Sequence, residues 1–72
     1  MISYGPLWKT LQEKKVSTYA LTKKYHVSSS TLTRLRNNKP ITTVTVNDLC
    51  RILHCDVSEI MQYIPEEDEK AL

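Results

Sequence analysis

The chain has 72 residues, 40% of them hydrophobic, and a formal net charge of +2 at pH 7. This length predicts a single small domain whose modest core excludes a deep substrate cavity. No apolar run approaches the about 18 residues of a membrane span, and the N-terminal residues lack the basic and apolar regions of a signal peptide, so a cytoplasmic protein is expected.

The first two predicted helices are marked by a proline and a serine at their starts. Pro6 suits the first turn of a helix, where its missing N–H is not needed. A helix is therefore predicted over residues 6–14, with Trp8 as a core anchor. Ser17 is a candidate N-cap for a second helix that runs to about Lys24.

The third helix is predicted within HVSSSTLTRLRNNK, a stretch whose serines and threonines are also typical of a solvated linker. Ser28 offers an N-cap, and Leu32 and Leu35 supply an apolar stripe, which together predict a helix over residues 29–37. Asn-Asn-Lys-Pro at 37–40 ends this helix, because asparagine accepts a left-handed cap and proline cannot continue the helix.

A full helical pattern of apolar residues predicts the fourth helix. The positions i, i+3, i+4 and i+7 are Val46, Leu49, Cys50 and Leu53. Two N-caps remain open, Thr43 and Thr45, of which Thr45 together with Asp48 resembles a capping box. The β-branched run at 44–46 is also compatible with a strand, but the helical spacing that continues from it outweighs this interpretation.

Asp56 and Glu59 form a second box-like helix start, and the same apolar spacing follows it. The apolar positions are Val57, Ile60, Met61 and Ile64. This pattern predicts a fifth helix that stops before Pro65. Five short helices without strand pairing therefore predict an all-α bundle over residues 1–64.

Charge is divided unevenly along the chain. Residues 1–56 carry nine Lys and Arg against three acids, a net charge of +6, whereas residues 57–72 carry one Lys against five acids, a net charge of −4. A basic body favours a polyanionic partner. Residues 65–72 are predicted to be an acidic, flexible tail that serves solubility or else masks the basic face.

The third helix presents a small, polar and cationic face if its two leucines point inward. At about 100° per residue, four side chains then project away from the core: Ser29, Ser30, Thr33 and Arg34. Short side chains permit close approach to a DNA major groove, and the Arg34 guanidinium can donate paired hydrogen bonds to guanine or to a phosphate. The alternative is an ordinary solvated helix face.

Metal and catalytic chemistry are disfavoured by the residues present. Cys50, His54 and Cys55 cluster in sequence, but structural zinc needs four ligands at recognisable spacing. Both cysteines are therefore interpreted as reduced structural thiols. The sequence has no glycine-rich phosphate loop and no sign of an activated nucleophile, so no enzyme activity, metal, cofactor or small-molecule ligand is predicted.

Residues 18–38 resemble the helix-turn-helix of the Cro/CI-like (XRE, lambda-repressor-like) DNA-binding family. The resemblance is carried by YALTKKYHVSSSTLTRLRNNK, in which Leu21 and Val27 occupy the apolar positions before and after the turn and Ser28 caps the following helix. The words TVNDLCRILHCDVSEIM resemble the fourth and fifth helices of the family. The resemblance therefore covers about residues 6–64.

Two positions depart from the family pattern. Thr22 stands where the family prefers alanine, which adds bulk where two helices press together. His26 stands where the family prefers glycine at a turn position with positive φ. Histidine is among the few other residues enriched in that conformation, at a cost of about 1–2 kcal/mol, so the turn is expected to form with some strain.

The resemblance implies a transcriptional regulator that binds double-stranded DNA sequence-specifically. It implies a repressor that occupies a near-palindromic operator as a homodimer. Carried over by position, the implied base or groove contacts are Ser28, Ser29, Ser30, Thr33 and Arg34. The implied phosphate contacts are Thr18, Lys23, Lys24, Arg36, Asn37, Asn38 and Lys39.

Two further expectations concern partners. Dimer contacts are expected from the region of the fifth helix, at Met61, Tyr63 and Ile64, or from the first helix. An alternative function is a protein-interaction module of the same fold that does not bind DNA directly. The basic body argues against this alternative.

Overall fold

Four α-helices and a two-stranded sheet make up the fold in the computed structural model, which describes residues 1–66. In chain order the elements are strand β1 (Ile2–Ser3), helices α1 (Gly5–Lys14), α2 (Thr18–Lys23), α3 (Ser29–Arg36) and α4 (Thr43–Leu53), a 3-10 turn (Val57–Glu59) and strand β2 (Gln62–Tyr63). The mostly helical prediction is confirmed, and the first four helices lie where they were expected.

Hydroxyl side chains cap three of these helices at their N-termini. Ser17 Oγ accepts a hydrogen bond from the Ala20 N–H at 3.0 Å, and Ser28 Oγ accepts one from the Thr31 N–H at 3.2 Å, so both predicted caps are confirmed. Such a cap satisfies an N–H that the first turn leaves without a partner.

The N-cap of α4 was predicted at the wrong threonine. Thr42 has the extended backbone of an N-cap, and its Oγ1 accepts from the Thr45 N–H at 3.2 Å. Thr43 and Thr45, the two expected caps, lie inside the helix. Three threonines stand within four positions, so the sequence alone does not show which hydroxyl caps the helix.

The predicted fifth helix is wrong. Only a 3-10 turn forms at Val57–Glu59, although Glu59 Oε2 does accept from the Asp56 N–H at 3.0 Å as a box-like start requires. Ile60 is fully buried, whereas Ile64, which shares its expected helical stripe, is exposed. The Met61 N–H still donates to the Val57 carbonyl at 3.0 Å, but the residues after Met61 pair with β1 and do not continue a helix.

Strand pairing joins the two ends of the described chain, which corrects the expectation of an all-α fold. The strands are antiparallel, with Ile2 opposite Tyr63 and Ser3 opposite Gln62. Met1 and Ile64 extend the pairing, since the Met1 amine donates to the Ile64 carbonyl at 2.6 Å and the Ile64 N–H donates to the Met1 carbonyl at 2.8 Å. The predicted acidic tail comprises residues 65–72, and its part beyond Glu66 lies outside the described residues.

The core takes one fully buried aliphatic side chain from each helix and one from the segment after the 3-10 turn. These residues are Leu7, Leu21, Leu35, Leu49 and Ile60. Trp8, the expected core anchor, is only half-buried and packs against this cluster from outside. The buried aromatic residue is Tyr4, 3% exposed, which precedes α1.

The turn between α2 and α3 passes through His26, whose φ of 61° confirms the expected left-handed conformation. The Val27 N–H closes this turn on the Leu21 carbonyl at 2.9 Å. The His26 side chain is exposed. The conformational cost is therefore borne by a residue whose side chain adds no buried contact.

Replacing His26 by glycine is expected to raise the free energy of unfolding by about 1 kcal/mol, because glycine adopts this conformation without the Cβ clash. Urea denaturation of the two proteins measures the difference. His26→Ala is the matched control, since alanine also loses the imidazole but keeps the clash. An equal gain in stability for both variants would show that the imidazole, and not the backbone, is unfavourable.

Candidate nucleic-acid interface

Helix α3 is held to the core by one side and exposes the other. Leu32 and Leu35 are buried, which fixes the rotation of the helix about its axis. The polar and cationic residues of the helix are exposed: Ser29, Ser30, Thr33, Arg34 and Arg36. The outward face predicted from the spacing of the leucines is therefore the exposed face of the structure.

The N-terminus of α3 carries a cluster of hydroxyl groups centred on Ser28. Its Oγ donates to Thr31 Oγ1 at 2.9 Å and lies 3.1 Å from Ser30 Oγ, in addition to capping the Thr31 N–H. Because Ser28 is already engaged three times, it orders the start of α3, and the exposed hydroxyls of Ser29 and Ser30 are better placed to meet a ligand.

Thr33 and Asn37 are turned onto the helix by hydrogen bonds to its backbone. Thr33 Oγ1 donates to the Ser29 carbonyl at 3.0 Å, and Asn37 Nδ2 donates to the Thr33 carbonyl at 2.9 Å. The Thr33 hydroxyl therefore keeps its lone pairs as acceptors. Asn37 keeps its carbonyl oxygen and its second amide N–H for outside partners.

The residues predicted on α2 are divided between its N-terminus and its last turn. Thr18 is half-buried at the first position of the helix, and its carbonyl accepts from Thr22 Oγ1 at 3.2 Å. Lys23 and Lys24 are exposed, and Lys24 Nζ lies 5.4 Å from the centre of the Tyr25 ring. The hydroxyl that Thr22 adds is thus bonded to the backbone of its own helix.

The turn that follows α3 is attached to the N-terminal segment of the chain. Asn38 has a φ of 52°, as expected for the residue that ends the helix. Its Oδ1 accepts from the Tyr4 N–H at 3.1 Å, and the Lys39 carbonyl accepts from the Tyr4 hydroxyl at 2.8 Å. Tyr4 was not singled out in the sequence; its aromatic ring next to the first helix was the available signal.

The cations of this surface are not neutralised by carboxylates. Within residues 1–66 the two ion pairs join Asp48 to Arg51 on α4 and the Met1 amine to Glu66, at 3.5 and 3.6 Å. Five exposed cations of α2, α3 and the following turn take no part in either: Lys23, Lys24, Arg34, Arg36 and Lys39. This leaves the surface with a positive field that favours an anionic ligand.

Within residues 1–66, no three His, Cys, Asp or Glu side chains lie together in a group that could hold a metal ion. Cys50 and Cys55 are free and half-buried. Burial raises the pKa of the Cys55 thiol, and the neighbouring Cys50 and Glu59 raise it further. A thiol with a raised pKa is a poorer nucleophile and metal ligand. No helix of the described chain is long and apolar enough to cross a bilayer.

Comparison with known proteins identifies the family to which the chain belongs. A family model of the Cro/C1-type HTH DNA-binding domain matches residues 6–66. The crystal structure of the transcriptional regulator VanUg is similar with a TM-score of 0.82 and 31% sequence identity, over 90% of this chain and 87% of that one. The comparison with curated proteins gave no match. The chain therefore belongs to the Cro/C1-type helix-turn-helix DNA-binding family.

Proposed function

We propose that this protein is a sequence-specific repressor that inserts α3 into the major groove of its operator. The observation that carries the proposal is the exposed face of α3, where small hydroxyl side chains stand beside Arg34 and Arg36 and no carboxylate pairs with either arginine in residues 1–66. Small side chains permit close approach to base edges, and unpaired cations meet phosphates.

The candidate residues form two groups, according to the part of the DNA that each side chain is proposed to contact. Those on the exposed face of α3 are assigned to base edges: Ser29, Ser30, Thr33 and Arg34, with Ser28 ordering the helix start. Those at the rim are assigned to phosphates: Thr18, Lys23, Lys24, Arg36, Asn37, Asn38 and Lys39. Arg34 is the principal candidate for base recognition because its fork of donors matches the O6 and N7 acceptors of guanine.

Repression by occupancy is proposed because it requires nothing beyond this interface. A protein that covers a promoter excludes other proteins from it by volume alone. A two-fold dimer on a near-palindromic operator would supply two copies of α3 about one helical turn apart. Sequence recognition over two half-sites gives each operator an affinity that one short helix does not reach.

The two-stranded sheet is the proposed dimer contact, with a second copy of the chain as its partner. Met1, Ile2, Tyr63 and Ile64 are all large apolar residues with 41–50% of their surface exposed, and all four belong to the sheet or to its extension. Gathering exposed apolar side chains in one place is typical of an interaction surface. Of the two regions expected from the sequence, this favours the C-terminal one over α1.

The first test is the salt dependence of binding to mixed-sequence duplex DNA, measured by fluorescence anisotropy between about 50 and 200 mM salt. If five cations per protomer each neutralise a phosphate, the logarithm of affinity should fall against the logarithm of salt with a slope of about −4.5 per protomer. Absence of measurable binding at low salt would instead favour the alternative of a protein-interaction module.

The second test is the role of Arg34, after the operator has been selected from a random duplex pool. Arg34→Ala is expected to weaken operator binding by about 1–3 kcal/mol and to relax the preference at one base pair. Arg34→Lys keeps the charge without the fork, so it should lose the same base preference. Lys9→Ala, which removes one exposed cation from α1, is the control for net charge. Equal weakening on every sequence would reassign Arg34 to a phosphate.

The third test places a charge in the proposed dimer contact. Ile64→Asp should raise the dimer dissociation constant by about tenfold or more, because an unpaired carboxylate in an apolar contact is costly. The Ile64 N–H still donates to Met1, so the sheet is retained. Val57→Asp is the control, since Val57 is also exposed but lies on the 3-10 turn. Sedimentation velocity measures both variants, and dissociation by Val57→Asp alone would move the contact to that turn.

A further inference from the structure

The segment that ends α3 is shaped by residues distant in sequence. Its backbone leaves the helix at Asn37, passes through the left-handed Asn38, and returns the Lys39 N–H to the Arg34 carbonyl at 2.8 Å. Asn37, Asn38 and Lys39 are all exposed. The turn therefore displays three polar side chains at the C-terminal end of the cationic face, and its conformation decides where they point.

Tyr4 makes the two side-chain hydrogen bonds that connect this turn to the rest of the fold. Its N–H reaches Asn38 Oδ1 at 3.1 Å and its hydroxyl reaches the Lys39 carbonyl at 2.8 Å, across 34 and 35 residues of sequence. The two bonds engage successive residues of the turn. A rotation of the turn away from the core would break both of them.

Tyr4 itself is fixed from both of its neighbouring elements. It is buried to 3% exposure, it directly follows the paired strand β1, and its carbonyl accepts from the Leu7 N–H at 3.0 Å at the start of α1. A residue whose backbone is held on both sides and whose ring is buried is ordered before any ligand arrives. Such prior ordering lowers the entropy that binding must overcome.

The bond to Asn38 also selects which half of its amide faces a ligand. Because Oδ1 accepts from Tyr4, the Nδ2 group is the half left to donate. An amide donor suits a phosphate oxygen, whereas an amide acceptor does not. The contact with Tyr4 thus orients Asn38 for an anion.

We infer that Tyr4 is a positioning residue for DNA binding, which holds the Asn37–Lys39 turn in the conformation that presents Asn38 and Lys39 to a backbone phosphate. Tyr4 does not touch the DNA in this arrangement. The inference rests on the proposed function, because it assigns a role within the same interface. It also gives the segment between β1 and α1 a part in DNA binding that its place in the sequence does not suggest.

Tyr4→Phe tests the inference, because phenylalanine keeps the buried ring and removes only the hydroxyl that donates to Lys39. Affinity for duplex DNA is expected to fall about fivefold or more, and the slope of log affinity against log salt should become shallower by about 0.9 per protomer, the value for one lost phosphate contact. A general loss of stability does not change that slope while the protein stays folded.

Thr10→Val is the matched control. Thr10 is also buried, and its hydroxyl also donates one bond of 2.8 Å to a backbone carbonyl, that of Glu59 in the 3-10 turn. Thermal melts of both variants should shift by a similar amount. The affinity and salt slope of Thr10→Val should match those of the wild-type protein.

The outcomes separate the positioning role from the proposed function. Loss of affinity and a shallower slope in Tyr4→Phe alone support the positioning role. Equal losses in both variants, or wild-type behaviour in Tyr4→Phe, overturn it while DNA binding stands. If the wild-type protein shows no salt-dependent binding, the proposed function fails first and the inference falls with it.

Discussion

The rotation of α3 about its own axis is the constraint on which the interface depends. Leu32 and Leu35 lie three positions apart and are both buried, so the helix has one orientation that hides them from water. Leu35 meets the fully buried side chains of the other helices and Ile60 in one cluster. Turning α3 by a single residue would expose a leucine and bury a serine or an arginine. The polar face therefore points outward because the apolar face is buried only when it packs against the core.

The polar groups of α3 differ in how they are held. Hydroxyls near the start of α3 bond to one another and to the backbone, and Thr33 bonds to the turn before it. Arg34 and Arg36, by contrast, form no ion pair within residues 1–66. Short side chains are thus held in place while the long cations stay free to adjust. A surface of this kind combines fixed shape with mobile charge, which suits recognition of a groove lined by phosphates.

Most local features were predictable from the sequence, with the N-cap of α4 as an exception, whereas the contacts of the N-terminal segment with distant residues were not. Ser17 and Ser28 were identified as caps because a cap acts within three residues, and His26 was identified because its strain is a property of one residue. The fifth helix failed because Gln62 and Tyr63 pair with residues about 60 positions earlier, and no local period records such a pairing. Tyr4 was missed for the same reason, since its partners are Asn38 and Lys39. The prediction that α3 contacts DNA depends on the family resemblance together with the spacing of two leucines.

All four α-helices are followed by a left-handed residue that is not glycine: Lys15, His26, Asn38 and His54. The chain contains one glycine, and it lies at the start of α1. A non-glycine residue in this left-handed conformation accepts some backbone strain, and it adds a side chain where glycine, the usual residue, has none. At Asn38 that side chain joins Tyr4, which follows β1, to the end of α3. Substitution by glycine would thus relieve backbone strain at the other three positions at little loss, whereas at Asn38 it would remove the side-chain bond to Tyr4. The four positions look alike in backbone geometry and would evolve under different pressures.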